Sequence, residues 1–133
     1  MMELGLLILR LVVGLSFMAH GAQKLFGWFG GYGPKGTGGF MESLGLKPGV
    51  AAAVVVGLME LLGGLLFTLG FLTVLGSILI IIPMLGAIAK VHWSNGYWGS
   101  ANGYEMNLLI IAVAVAIALT GAGAYSLDAV MFN

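Results

Sequence analysis

The sequence predicts an all-α integral membrane protein, a four-transmembrane-helix bundle with a short interfacial helix in its first loop. Of its 133 residues, 60% are hydrophobic and 8% are charged, and the mean hydropathy is +1.09. Five Lys+Arg and five Asp+Glu cannot coat a soluble domain of this size, whose residues are usually about a quarter charged. Lipid is therefore the expected solvent for most of the chain. In addition, four stretches approach the roughly 20 apolar residues that cross a hydrocarbon core about 30 Å thick.

The first span runs from about Leu4 to Phe26. Glu3 and Arg10 argue against a cleaved signal peptide, so it is read as a retained helix. The second runs from about Val50 to Leu69 and the third from about Leu72 to Val91. Gly70 between them suits a helix C′ position, which predicts a tight antiparallel hairpin. Pro83 lies inside the third span, where membrane helices tolerate proline and a kink is expected. The fourth span runs from about Glu105 to Thr120. The length suits one domain, residues 1–133.

The first loop, Gly27 to about Gly49, is rich in glycine, and Phe40, Met41 and Leu44 near its end recur at helical spacing. That pattern predicts a short interfacial helix over Phe40–Leu46. No strand precedes the glycines and no Gly-Lys-Ser/Thr follows, which excludes a phosphate loop. Trp28, Tyr32, Trp93, Tyr97, Trp98 and Tyr104 lie in or beside the first and third loops and form one expected aromatic belt. Lys24, Lys35, Lys47 and Lys90 share that side, so the loops are expected to be cytoplasmic and the termini external. The tail after Thr120 reads as a helix stop followed by a turn capped by Ser126.

Zero net charge gives no basic footprint for nucleic acid. The absence of cysteine removes disulfides, thiolate metal sites and any thiol relay within this chain. The informative residues are the ionisable ones inside the apolar spans. A charge at the centre of a helix in lipid costs about 2.5–3.5 kcal/mol, and Arg10 and Glu60 both incur it. Glu60 is close to the middle of its span and Arg10 about 7 Å from the middle of its own at 1.5 Å per residue, within reach of an arginine, so the two are expected to pair. A purely structural clamp is the alternative reading of that pair.

At 100° per residue, Arg10, Val13, Gly14, Phe17, His20, Gly21 and Lys24 share one face of the first helix. Gly57, Glu60 and Gly64 share a face of the second span, and these glycine-lined faces are expected to meet. His20 and Lys24, then His92, then Asn102 and Glu105 end or open the spans on the loop side. They are expected to extend the Arg10–Glu60 pair into one graded cluster. In it His20, His92, Glu60 and Glu105 would exchange protons with a ring ligand, while Arg10, Lys24 and Asn102 bind it. No tight metal-ligand spacing occurs, so no metal is expected. Metal binding or axial ligation of a haem by the histidines is the weaker alternative.

The order of motifs resembles the DoxX family over nearly the whole chain. It includes Leu9-Arg10-Leu11-Val12-Val13-Gly14, His20-Gly21 and Gln23-Lys24-Leu25-Phe26-Gly27 in the first helix. Met59-Glu60-Leu61-Leu62-Gly63-Gly64, Leu69-Gly70 and Leu72-Thr73 follow. Ala89-Lys90-Val91-His92, Gly103-Tyr104-Glu105, Asn107-Leu108-Leu109 and Gly121 to Asp128 complete the set. Ala122 stands where the family usually has proline, which bears on the sharpness of that turn.

The resemblance implies a four-helix protein of the bacterial or archaeal cell membrane. Members are linked to quinone chemistry, as a subunit of a thiosulfate:quinone oxidoreductase, in resistance to catechols and quinones, or in redox-stress complexes. The expected function is a quinone-linked membrane oxidoreductase component that binds a quinone or catechol-like ligand in an intramembrane polar pocket. Electrons would come from a partner such as a soluble redox subunit, from the substrate itself or from a cofactor that no motif marks. The alternatives are a non-catalytic anchor or assembly subunit of a redox complex and, ranked last, a small-molecule permease. A glycine-rich, lipid-facing helix surface also permits a homo-oligomer.

Overall fold

The computed structural model describes residues 1–132, and among these every regular element is helical. α1 (Met2–Phe26), α2 (Gly33–Ser43), α3 (Gly49–Leu69), α4 (Thr73–Ala87), α5 (Glu105–Thr120) and α6 (Leu127–Phe132) follow in order. A π-helical turn, Ile88–His92, and a 3₁₀ turn, Trp93–Asn95, continue α4. Three runs are long and apolar enough to cross a membrane: Met2–Phe26, Gly49–Leu69 and Thr73–Asn95. α5 has 16 residues, about 24 Å at 1.5 Å each, and is shorter than the other three.

The surface is inverted relative to a soluble protein. Leu11, Val12 and Leu15 on α1, Leu58 and Leu62 on α3, and Ile78 and Ile82 on α4 are exposed, while Arg10, Glu60, Ser77 and Asn107 are buried. Phe17, Phe67, Ile80, Ala114 and Ile117 tie α1, α3, α4 and α5 into one core.

The glycine faces of α1 and α3 meet as expected, and their contact fixes the helix register. A Cβ on Gly21 would lie 2.6 Å from Leu61 N and 2.8 Å from Gly57 O, and one on Gly64 would lie 2.6 Å from Gly14 O. Only glycine allows backbones this close. Gly14 therefore stands opposite Gly64 and Thr68, and Gly21 opposite Gly57 and Leu61.

The hairpin between α3 and α4 also matches its prediction. Gly70 adopts φ 66° and the Phe71 N–H reaches back to Leu66 O at 3.0 Å, closing a Schellman turn. The helix in the first loop differs from expectation: it runs Gly33–Ser43 and begins seven residues before Phe40. Pro34 opens it, a position where proline's fixed φ and missing N–H suit a helix. Its glycines weaken helix propensity, but Gly38 packs directly against Gly49 and Val50 at the start of α3. Packing outweighs propensity here.

Candidate functional site

The register set by the glycines decides which charges meet. Glu60 lies opposite the stretch around Gly21, within reach of Lys24 in the last turn of α1. Lys24 Nζ and Glu60 Oε1 form an ion pair at 2.5 Å. The Lys24 stem starts beside Gly57, where an added Cβ would lie 3.2 Å from Lys24 Cβ. Glu60 is one turn deeper on α3, so the lysine bends inward. A lysine near a helix end normally reaches out to the headgroups. Glu60 is only 3% exposed, and a carboxylate so buried without a cation would cost several kcal/mol. Its Oε1 takes no aligned hydrogen bond, so the contact with Lys24 is ionic.

Arg10 is not paired with Glu60, a correction to the sequence expectation. The same register places Arg10 against the C-terminal end of α3, far from Glu60 along the helix. Its guanidinium donates all five N–H groups to backbone carbonyls: Nε to Phe67, and the terminal nitrogens to Thr68, Ala122 and, twice, Tyr125, at 2.8–3.2 Å. Phe67 and Thr68 belong to the last turn of α3, whose carbonyls lack helical partners and favour a cation. Ala122 and Tyr125 lie in the tail. Arg10 thus joins α1, α3 and the tail.

Asp128 completes this knot from α6. Its carboxylate accepts from the N–H groups of Leu72 (2.8 Å) and Thr73 (3.0 Å) and from the Thr73 hydroxyl, capping α4. Leu72 sits at φ 47°, a left-handed conformation costly for a non-glycine residue, and the bond to Asp128 holds it there. The Asp128 N–H donates to Gly70 O at 2.8 Å. Desolvation pushes its pKa up, but the Thr73 and Leu72 hydrogen bonds and the Arg10 charge outweigh it, leaving the carboxyl below its ordinary value.

The loop-side residues fall into separate groups, and the single graded cluster is not formed. The ring of His20 is 6.3 Å from that of Phe17, and the residue is exposed. His92, at the end of the π turn, has Nδ1 2.8 Å from Asn102 O, which also accepts from Asn95 Nδ2. Glu105 Oε1 accepts from the Gly99 N–H at 3.0 Å. His92, Asn102 and Glu105 therefore fold the third loop onto itself. Trp93 stacks on Tyr104 within the same loop.

A groove of about 500 Å³ opens beside Lys24, lined by Gln23, Lys24, Gly31, Tyr32, Thr37 and Phe40 among others. Tyr32 and Phe40, both exposed, give it an aromatic rim. Thr37 is 9% exposed, and its hydroxyl bonds to no other described residue. The sequence reading missed Thr37, which sits in a glycine run with no pattern to mark it. The Lys24–Glu60 pairing had a usable signal, because Gly21 and Gly57 each precede the charge by about one turn.

The DoxX family model matches residues 5–93. CatD of Bacillus subtilis, named provisionally as an oxidoreductase, is 32% identical over 131 residues, covering 98% of this chain and 90% of its own. The inner membrane protein YphA of Escherichia coli is 35% identical over 131 residues, covering 92% and 87%. The inner membrane protein YqjF of the same organism is 29% identical over 129 residues, covering 97% and 93%. No solved structure matches. The apolar helices and the named inner membrane proteins among these relatives agree in placing the chain in a membrane. Through the matched family model and these relatives, the protein belongs to the DoxX family.

Proposed function

We propose that this protein is a quinone-linked component of a membrane redox system, holding a quinone or catechol-like ring in the groove beside Lys24. The observation that carries the reading is the inward-bent Lys24, paired with Glu60 and lining a groove with an aromatic rim. A groove of about 500 Å³ lies within the usual 300–1,000 Å³ range for small-molecule sites. Lys24 and Thr37 offer hydrogen bonds to ring oxygens, and Tyr32 and Phe40 offer apolar faces. A catechol or hydroquinone supplies two electrons and two protons when oxidised. The chain has no cysteine, so a soluble redox subunit is proposed as the electron partner. The name of CatD supports this redox reading.

In this reading α5 is the fourth span, crossing with local bilayer thinning, and α2 lies at the interface under the groove. The loops face the cytoplasm, following the lysines on their side. His92 and Glu105 act on loop geometry, and Arg10 on the fold. Titrating the purified protein with short-chain ubiquinone and menaquinone analogues tests the proposal. Saturable binding that weakens in Lys24→Gln is expected. Absence of binding to both analogues, in quinone and quinol forms, refutes it.

A second reading, a non-catalytic assembly subunit, is favoured by the self-contained third loop, which presents Trp93 and Trp98 at 66% and 67% exposure. Under it, a stoichiometric soluble partner co-purifies and is lost on Trp98→Ala, with the groove unliganded. The permease reading has less support, because the core around Phe17, Phe67 and Ile80 interrupts any polar path.

A further inference from the structure

We infer that the groove binds its ligand as an aromatic oxyanion, and that Glu60 takes up the compensating proton through Lys24. This rests on the groove being the ligand site proposed above, and it specifies that ligand's charge state. The ammonium of Lys24 touches Glu60, and Lys24 is also among the residues that line the groove. The pair is neutral as it stands. An oxyanion arriving at Lys24 would leave a net negative charge against a buried wall, which is costly in a medium of low dielectric. One proton on Glu60 restores neutrality.

Glu60 is suited to accept that proton. Among the described residues no backbone N–H or other side chain donates to its buried Oε1, so a proton delivered by Lys24 meets no competing donor there. The surrounding elements offer few competitors. α4, from Thr73 to Ala87, contains no ionisable residue. On α2, Lys35 and Glu42 are exposed, and Glu42 Oε2 accepts from the Gly49 N–H. His20 on α1 is exposed, and Glu105 on α5 is engaged by Gly99.

The ligand class follows from the same atoms. Tyr32 and Phe40 select a ring, Lys24 selects an oxygen that can carry negative charge, and the Thr37 hydroxyl can donate to a second oxygen. A catechol or hydroquinone has both oxygens. For a neutral ring hydroxyl, the ligand O–H bond breaks and its proton passes to Lys24 as Lys24 gives one to Glu60. A new O–H bond forms on Glu60, Lys24 remains an ammonium, and no electron moves. If the ligand arrives already ionised, Glu60 takes its proton from water.

The test uses 4-nitrocatechol, whose colour changes on ionisation, with the full chain in detergent at a pH where the free dye is ionised. Calorimetry in two buffers of different ionisation enthalpy counts the protons exchanged. The wild type is expected to bind the coloured oxyanion with uptake of about one proton per ligand. Glu60→Gln should bind the same form with uptake near zero, and Glu60→Asp should restore it. Lys24→Gln should weaken binding at least about tenfold. Unchanged circular dichroism and melting establish that the variants are folded.

Binding of the oxyanion without uptake, or equal uptake in Glu60→Gln, overturns the inference. So does binding of the un-ionised dye, although the groove then stands as a ring site. Failure of the wild type to bind the dye, with quinone analogues still binding, overturns the oxyanion assignment. Failure of both overturns the groove reading as well.

Discussion

Replacing Arg10 with methionine keeps the length and apolar bulk of the side chain and removes all five donors. The cost can be worked from the partners left behind. Phe67 O keeps the Gly70 N–H, but no other described donor reaches Thr68 O, Ala122 O or Tyr125 O. Each buried carbonyl stripped of its partner costs about 1–3 kcal/mol. The guanidinium's own desolvation, removed with it, offsets part of that sum. Together these give a loss of about 3–5 kcal/mol, the range seen when one partner of a buried charged network is removed. The assay is reversible unfolding in mixed micelles titrated with a denaturing detergent. Arg10→Lys, with a charge but at most three donors from a single point, should recover only part of the loss. Truncation after Thr120 removes the bonds to Ala122 and Tyr125 together with the Asp128 cap, and combining it with Arg10→Met should cost less than the sum, since three of the five Arg10 bonds are lost in both. A variant within about 1 kcal/mol of wild type, or full additivity with the truncation, would refute the knot as the anchor of the tail.

Gly21→Val should separate α1 from α3 and destabilise by at least about 1–3 kcal/mol; disulfide trapping between cysteines introduced on the two helices will report any change in spacing. Asp128→Asn should remove the acid limb of stability. The native carboxyl titrates below its ordinary value of 3.8, so its contribution is present above that pH and is lost as pH falls through the lower folded value. Equal acid sensitivity in variant and wild type would count against this. His92→Phe should loosen the third loop by about 1 kcal/mol, read as faster amide exchange at Asn95 and Gly103 with α1 and α3 unchanged.

Three of the expected spans were legible because a lipid solvent demands long, uniform apolarity, whereas Glu105–Thr120 is a shorter apolar helix. The meeting of α1 and α3 was also legible, since Gly14, Gly21, Gly57 and Gly64 repeat at helical spacing. The partners of Arg10 were not. They are main-chain carbonyls, which every residue carries and no side chain advertises. Pairing Arg10 with Glu60 followed the cost of two charges in lipid and the reach of an arginine, whereas helix register decided the outcome. The start of α2 was hidden because glycine argues against helix locally, and its justification lies in Gly38 packing on a residue eleven positions later.

The Arg10 contact also orders events during synthesis. Its partner Ala122 lies 112 residues downstream, so α1 enters the membrane long before its arginine can be satisfied. Until residues 122–125 emerge, three of the arginine's five hydrogen bonds cannot form. Residues 122 and 125 therefore complete the acceptor set of an arginine placed early in the chain. A chain that stalls before residue 122 leaves that guanidinium with only Phe67 and Thr68 as acceptors among those described.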